Sequence, residues 1–173
     1  MQREQAILRS LPLVASVLGR KYGVTVTIGG SRAYTDGQAI HLPSLPLDAP
    51  EEFLALARGY IDHESAHLRE TDFAAVSEAK LTPLEKHVWN ILEDWRVENN
   101  LAARFPGCRR NFNWLIEHFF GGEDVAAVGA DPAARLLNWL LLTVRAWDVP
   151  LVAARRDALA EELDVSFPGL RAE

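Results

Sequence analysis

Apolar residues recur at three- and four-residue intervals over residues 4–20, where Ile7, Leu8, Leu11, Val14, Ala15 and Leu18 share one side, which predicts a helix. Pro12 falls inside it and is expected to kink the helix or reset its start. The period then shortens to two. VTVTIGG (24–30) alternates and is rich in β-branched residues, the pattern of a strand. Residues 33–43 read as a hairpin pivoting on Asp36-Gly37, with Gln38 to Leu42 as its return strand. Pro43 and Pro46 end that strand and point to a sheet edge.

Helical spacing resumes after Asp48, which can cap a helix over about 50–70 with Pro50 in its first turn and Glu51 near its positive end. TPLE (82–85) spells a capping box with proline at the first helical position. It opens a helix through about residue 104, stopped by Phe105-Pro106-Gly107. Further helices are expected over about 111–120, ended by Gly121-Gly122; over 132–147, opened by Asp131-Pro132; and over 150–163. The order of helix, small antiparallel sheet and then mostly helices predicts an α+β fold in which helices dominate. There is no internal repeat, and the 173 residues are expected to form a single domain, whole or the N-terminal part of a longer protein.

Composition narrows the partners. The chain has 24 acidic against 18 basic residues, a net charge of −6, which gives no electrostatic reason to expect nucleic acid or an anionic membrane. Its single cysteine, Cys108, excludes an internal disulfide and fits a reducing, cytoplasmic setting. The N-terminus, MQREQAILRS, lacks the apolar core of a secretion signal. The most apolar run, LLNWLLLTV (136–144), is too short to span a bilayer and is bracketed by Arg135 and Arg145, so it reads as a buried helix.

One stretch carries chemistry. Within IDHESAHLRETDF (61–73), His63 and His67 are four residues apart, one turn above each other on a single helix face. They can offer two imidazoles to one ion. Glu64 lies about 100 degrees around the helix and borders the site without ligating. Zinc held by three protein ligands keeps a position for water, lowers the pKa of that water, and leaves an adjacent carboxylate to take its proton. Glu64 is the candidate for that role. The bland alternative is a surface helix with Glu64 in a salt bridge. The helix-start signals and the apolar residues Phe53, Ala57, Tyr60, Ile61 and Leu68 favour the metal site.

A third ligand is sought in VWNILEDWRVENN (88–100), which offers Glu93, Asp94 and Glu98. On a helical projection the apolar face holds Leu84, Val88, Ile91, Trp95 and Ala102, with Asp94 and Glu98 on or beside it. An inward carboxylate there needs a partner or a metal. Asp94 is therefore the favoured ligand, Glu98 a support for the second ring nitrogen of a ligand histidine, and Glu93 an outward partner of Arg96. Surface ion pairs for all three acids remain the alternative.

HESAH followed by a carboxylate on a second helix resembles the zincin metallopeptidases, with a gluzincin-like layout. More narrowly, HESAHLRETDF, WNILEDWRVENN and RFPGCRRN resemble the N-terminal region of cobaltochelatase T-subunit-like proteins, which usually carry a von Willebrand factor A module further on. The likeness covers roughly residues 50–115. It implies a zincin-like domain with Zn2+ on His63 and His67, and Glu64 in its usual role. Gluzincins use a glutamate as third ligand, and the plain match here is Glu93, the alternative to Asp94. Two functions follow as expectations. One is a zinc-dependent peptidase that hydrolyses a peptide or protein substrate through a metal-activated water, with Glu64 as general base. The other is an interaction or scaffold module of a chelatase-like, ATPase-linked assembly that cuts little or nothing, with a partner protein or a von Willebrand A-type module as its neighbour.

Other residues are assigned plainer roles. Ala39 to Leu42 can act as an edge strand that pairs with an extended peptide, or as an ordinary sheet edge. His41 is expected to face outward, and His87 and His118 to be structural. Arg109 or Arg110 can steady an oxyanion or a peptide carboxylate, with a salt bridge as the plainer role. Cys108 and Tyr60 read as packing residues, and Trp89, Trp95, Trp114, Trp139 and Trp147 as core or interface anchors.

Overall fold

The first helix, α1 (Gln2–Leu18), forms where the periodicity places it and runs through Pro12. Ser16 Oγ donates to the Pro12 carbonyl at 2.8 Å. In this computed structural model, residues 2–45, 50–122 and 131–164 are described. The Asp48 cap therefore lies outside the described residues.

Three strands follow, β1 (Thr25–Ile28), β2 (Tyr34–Thr35) and β3 (Ala39–Leu42), in the order β1-β3-β2. The hairpin of β2 and β3 is antiparallel and turns at Asp36-Gly37. Asp36 Oδ1 accepts the backbone N–H groups of Gln38 and Ala39, each at 2.8 Å. These bonds hold its carboxyl below the usual aspartate range. Gly37 has φ +84°, the left-handed conformation that this turn demands. β1 pairs with β3 in parallel, so the sheet is mixed where an antiparallel one was expected. The physical reason is that the chain leaves β1, reverses into β2 and reverses again into β3, so that β1 and β3 run the same way. This also corrects the place of Ala39 to Leu42. β3 is the central strand, hydrogen-bonded on both sides, and has no open edge for an added peptide.

The helices are α2 (Pro50–Glu70), α3 (Phe73–Glu78), α4 (Pro83–Arg104), α5 (Pro106–Phe120), α6 (Pro132–Ala146) and α7 (Ala153–Asp164), the last preceded by a 3-10 turn at Pro150–Val152. The α+β, mainly helical class holds. The short α3 was not foreseen; Asp72 caps it, accepting from Ala75 N at 2.9 Å. The capping box of α4 is formed, with Thr82 N donating to Glu85 Oε2 at 2.8 Å and Glu85 N donating to Thr82 Oγ1 at 3.4 Å. Asp131 caps α6 as expected, accepting from Ala133 N and Ala134 N. α4 stops before Phe105 as expected, but α5 begins at once, because Pro106 suits the first turn of a helix as well as it ends one.

The chain divides into two units. One comprises Met1–Lys80 and Arg96–Leu115, the other Leu81–Trp95 and Ile116–Glu173. In the first, Leu11 and Ala15 of α1, Val24 just before β1, Ile40 and Leu42 of β3, and Ile61 of α2 form one buried cluster. A second joins Leu18, Ala66, Val97, Leu101, Ala102, Cys108 and Phe112. Burial of a large apolar side chain such as Phe112 contributes roughly 1.5–3 kcal/mol, so these clusters fix α2 against the C-terminal half of α4. In the second unit, Ile116, Leu142, Val149, Val152, Leu159 and Leu163 pack together, with Trp139 against them. LLNWLLLTV lies within α6. Among the described residues no helix is long and apolar enough to cross a membrane.

Candidate metal centre

α2 presents His63 and His67 one turn apart, and the first unit's packing brings the end of α4 beside them. Their ring centroids are 4.8 Å apart, with planes at 79°. His63 Nδ1 lies 2.8 Å from Glu98 Oε1. Glu98 is buried at 4% exposure, and a carboxylate at that depth is stable only with a donor to meet it. The support expected of Glu98 is therefore present. His67 Nδ1 lies 3.1 Å from Thr71 Oγ1, a contact that the sequence reading missed. The signal was there: Thr71 follows His67 by four residues, the spacing of helix neighbours.

Asp94 is carried by α4, one turn before Glu98 on the same continuous helix. Arg145 Nη2 donates to its Oδ2 at 3.1 Å. Among the described residues, His63, His67 and Asp94 each offer one ligand atom, and these atoms lie within 4.8 Å of one another, a group that can coordinate a metal ion. Two imidazoles and a carboxylate make a donor set of intermediate softness that suits a borderline divalent cation such as Zn2+. Glu93 is not in that group. It was expected on the outside, paired with Arg96, but it is only 7% exposed, and Arg96 donates to the Glu70 carbonyl at 2.8 Å. The projection counted Leu84 in the apolar face, but that residue is 58% exposed.

Glu64 is buried at 3% exposure, one turn after Tyr60. Burial first, and the Glu64 charge second, push the Tyr60 hydroxyl above its usual range. Tyr60 packs on the sheet-side core, as its packing role required. Asp62, the residue before His63, is also buried and accepts from Asn111 Nδ2 at 2.8 Å. Burial raises its carboxyl, against the opposing pull of Asn111, Cys108 and Arg58. Burial, followed by the Asp62 charge and hydrogen bond, pushes the Cys108 thiol up to about 12. The group of buried Asp62 and Cys108 with half-buried Asn111 was not foreseen, because its members come from two helices whose contact leaves no local trace in the sequence.

The remaining candidates lie elsewhere. His41 sits on the sheet with Nδ1 2.8 Å from Thr27 Oγ1 and its ring stacked on Tyr34 at 4.4 Å. His87 and His118 are exposed. Arg109 Nη2 donates to Asn99 Oδ1 at 2.7 Å, and Arg110 is exposed. Trp95 meets Trp147 edge-to-face at 5.2 Å.

Comparison with known proteins matches residues 2–159 to the family described as Cobalamin biosynthesis protein CobT. No curated protein and no solved structure matches the chain. The family finding overturns the recognition of a zincin or gluzincin-like metallopeptidase and, with it, the assignments as peptidase, metallopeptidase and hydrolase. The letters His-Glu-x-x-His occur in the chain, but in a helix of a different family, and their spacing states only that two imidazoles share a helix face. The general-base role given to Glu64 falls with the peptidase. Matched over nearly its whole length, the chain belongs to the family of cobalamin biosynthesis protein CobT.

Proposed function

We propose that this chain is a metal-holding interaction module of a chelatase-like, ATPase-linked assembly. His63 and His67 hold a divalent cation, Zn2+ in the first instance, and Asp94 completes the shell. The observation that carries this reading is the 2.8 Å bond from His63 Nδ1 to buried Glu98, with His67 one turn along the same face. A carboxylate behind a histidine orients the ring and raises its basicity, the arrangement that metal-ligating histidines use. When bound, the cation supplies a fixed positive charge and a coordination point. The chain's own residues supply orientation: Glu98 and Thr71 behind the rings, and Arg145 behind Asp94.

The family's description concerns cobalamin biosynthesis. It supports a role other than peptide hydrolysis, and a second subunit or a von Willebrand A-type module is the partner class proposed. Elemental analysis of the chain purified without added metal, followed by titration with Zn2+ and Co2+, tests the proposal. The expected result is one bound cation, lost in the His63→Ala, His67→Ala double variant. A folded wild-type chain that takes up neither cation overturns it.

A further inference from the structure

We infer that Thr71 and Glu98 are positioning residues that hold both imidazoles in the Nδ1-protonated tautomer, so that His67 and His63 meet a shared cation through their Nε2 atoms. The cation in this statement, and with it the direction of the His67–Thr71 bond, rests on the function proposed above, whereas the His63 tautomer stands on its hydrogen bond to Glu98.

An ionised carboxylate has no proton to give, so in the 2.8 Å contact the His63 Nδ1–H donates to Glu98, and the lone pair is left on Nε2. A hydroxyl can give or take a proton, so the 3.1 Å contact of His67 with Thr71 needs a second fact to orient it. That fact is the pairing of the rings. They stand one turn apart with centroids 4.8 Å from each other. A His67 ring with its proton on Nε2 would aim an N–H at the point where His63 offers a lone pair for a cation. Only the Nδ1–H tautomer, with Thr71 accepting, lets both rings serve one ion.

Thr71 is also held in place to do this. Its backbone N–H donates to the His67 carbonyl at 2.9 Å, one residue beyond the end of α2, which sets its side chain beside the ring. His67 is buried at 9% exposure, so this ring is oriented chiefly by protein groups rather than by water. The two supports differ in strength. The Glu98 bond is charge-assisted and the Thr71 bond is neutral, so Glu98 matters more to the cation.

Imidazole nitrogen-proton correlation spectra of the 15N-labelled, metal-free chain, recorded at a pH where both rings are neutral, test the tautomers directly. Both His63 and His67 are expected as Nδ1–H. Thr71→Val is expected to move His67 toward Nε2–H, and Thr71→Ser to restore the wild-type signal. Zn2+ affinity from competition with a chromophoric chelator is expected to fall about 10-fold in Thr71→Val and up to about 100-fold in Glu98→Ala, and to return in Thr71→Ser. A wild-type His67 found as Nε2–H overturns the inference, as does a Thr71→Val chain with unchanged tautomer and affinity. If Thr71→Val does not fold, the wild-type spectrum and Thr71→Ser decide. A wild-type chain with both Nδ1–H signals that binds no cation upholds the ring assignment and overturns the metal-holding function alone.

Discussion

The Arg145 guanidinium donates to the Asp94 carboxylate at 3.1 Å, with the two side chains 7% and 14% exposed. The bond lies within the second unit and joins α4 to α6. Removing one partner of a buried pair leaves the other charge poorly compensated, which typically costs about 3–5 kcal/mol. Arg145→Met is therefore expected to lower stability by about 3 kcal/mol, read from urea denaturation. Asp94→Asn, which keeps the shape of the side chain, is expected to weaken Zn2+ binding about 10-fold in a chelator competition while leaving the helical signal intact.

Gly59 is a packing device on α2. A Cβ at that position would lie 2.4 Å from Leu115 Cγ and 2.8 Å from both its methyl groups. Gly59→Ala gains helix propensity but overpacks α2 against α5, so a net loss of about 1–2 kcal/mol is expected by denaturant unfolding. Leu115→Ala removes the obstructing atoms. In a double-mutant cycle the Gly59→Ala penalty is expected to disappear on that background.

The Glu85 carboxyl sits below the usual glutamate value of 4.5, because it accepts from the Thr82 backbone and side chain. A lowered folded pKa contributes stability that is present above the unfolded value and lost as pH falls through the folded one. The stability difference between wild type and Thr82→Ala is therefore expected to be full at neutral pH and to shrink as pH falls below 4.5. Urea midpoints measured across that range check it, and a constant difference would refute the assignment.

Cys108 is 5% exposed, with its thiol pushed up to about 12 by burial and by Asp62. The thiolate is the reactive form, so the native chain is expected to resist a thiol reagent at mildly alkaline pH and to react promptly in denaturant. Rapid labelling of the folded chain would contradict the burial described for this residue.

Much of the fold was legible wherever the signal is local. The Thr82–Glu85 box, the Asp131 cap and the Asp36-Gly37 turn each depend on residues within four positions of one another, and each formed as read. The stack of His63 and His67 is equally local, since a helix alone places them. Direction and depth were not legible. Whether β1 runs with or against β3 depends on the path between them. Whether Glu93 is inside depends on what packs over α4. Both are set by neighbours distant in sequence. Glu98 was read correctly because its charge on an apolar face demanded a nearby donor. Thr71 was missed because a threonine just past a helix end raises no such demand. The peptidase reading failed for a further reason: five letters specify the geometry of two rings, and a family is specified by the whole chain.

Helices α4 and α5 each contribute residues to both units, because the divisions fall at 95/96 and 115/116, inside them. Neither unit is thus a continuous piece of polypeptide. A truncation after residue 80 would take Arg96–Leu115 from the first unit, and one after residue 115 would leave the second with Leu81–Trp95 alone, so partner mapping with this chain calls for point substitutions in the intact protein.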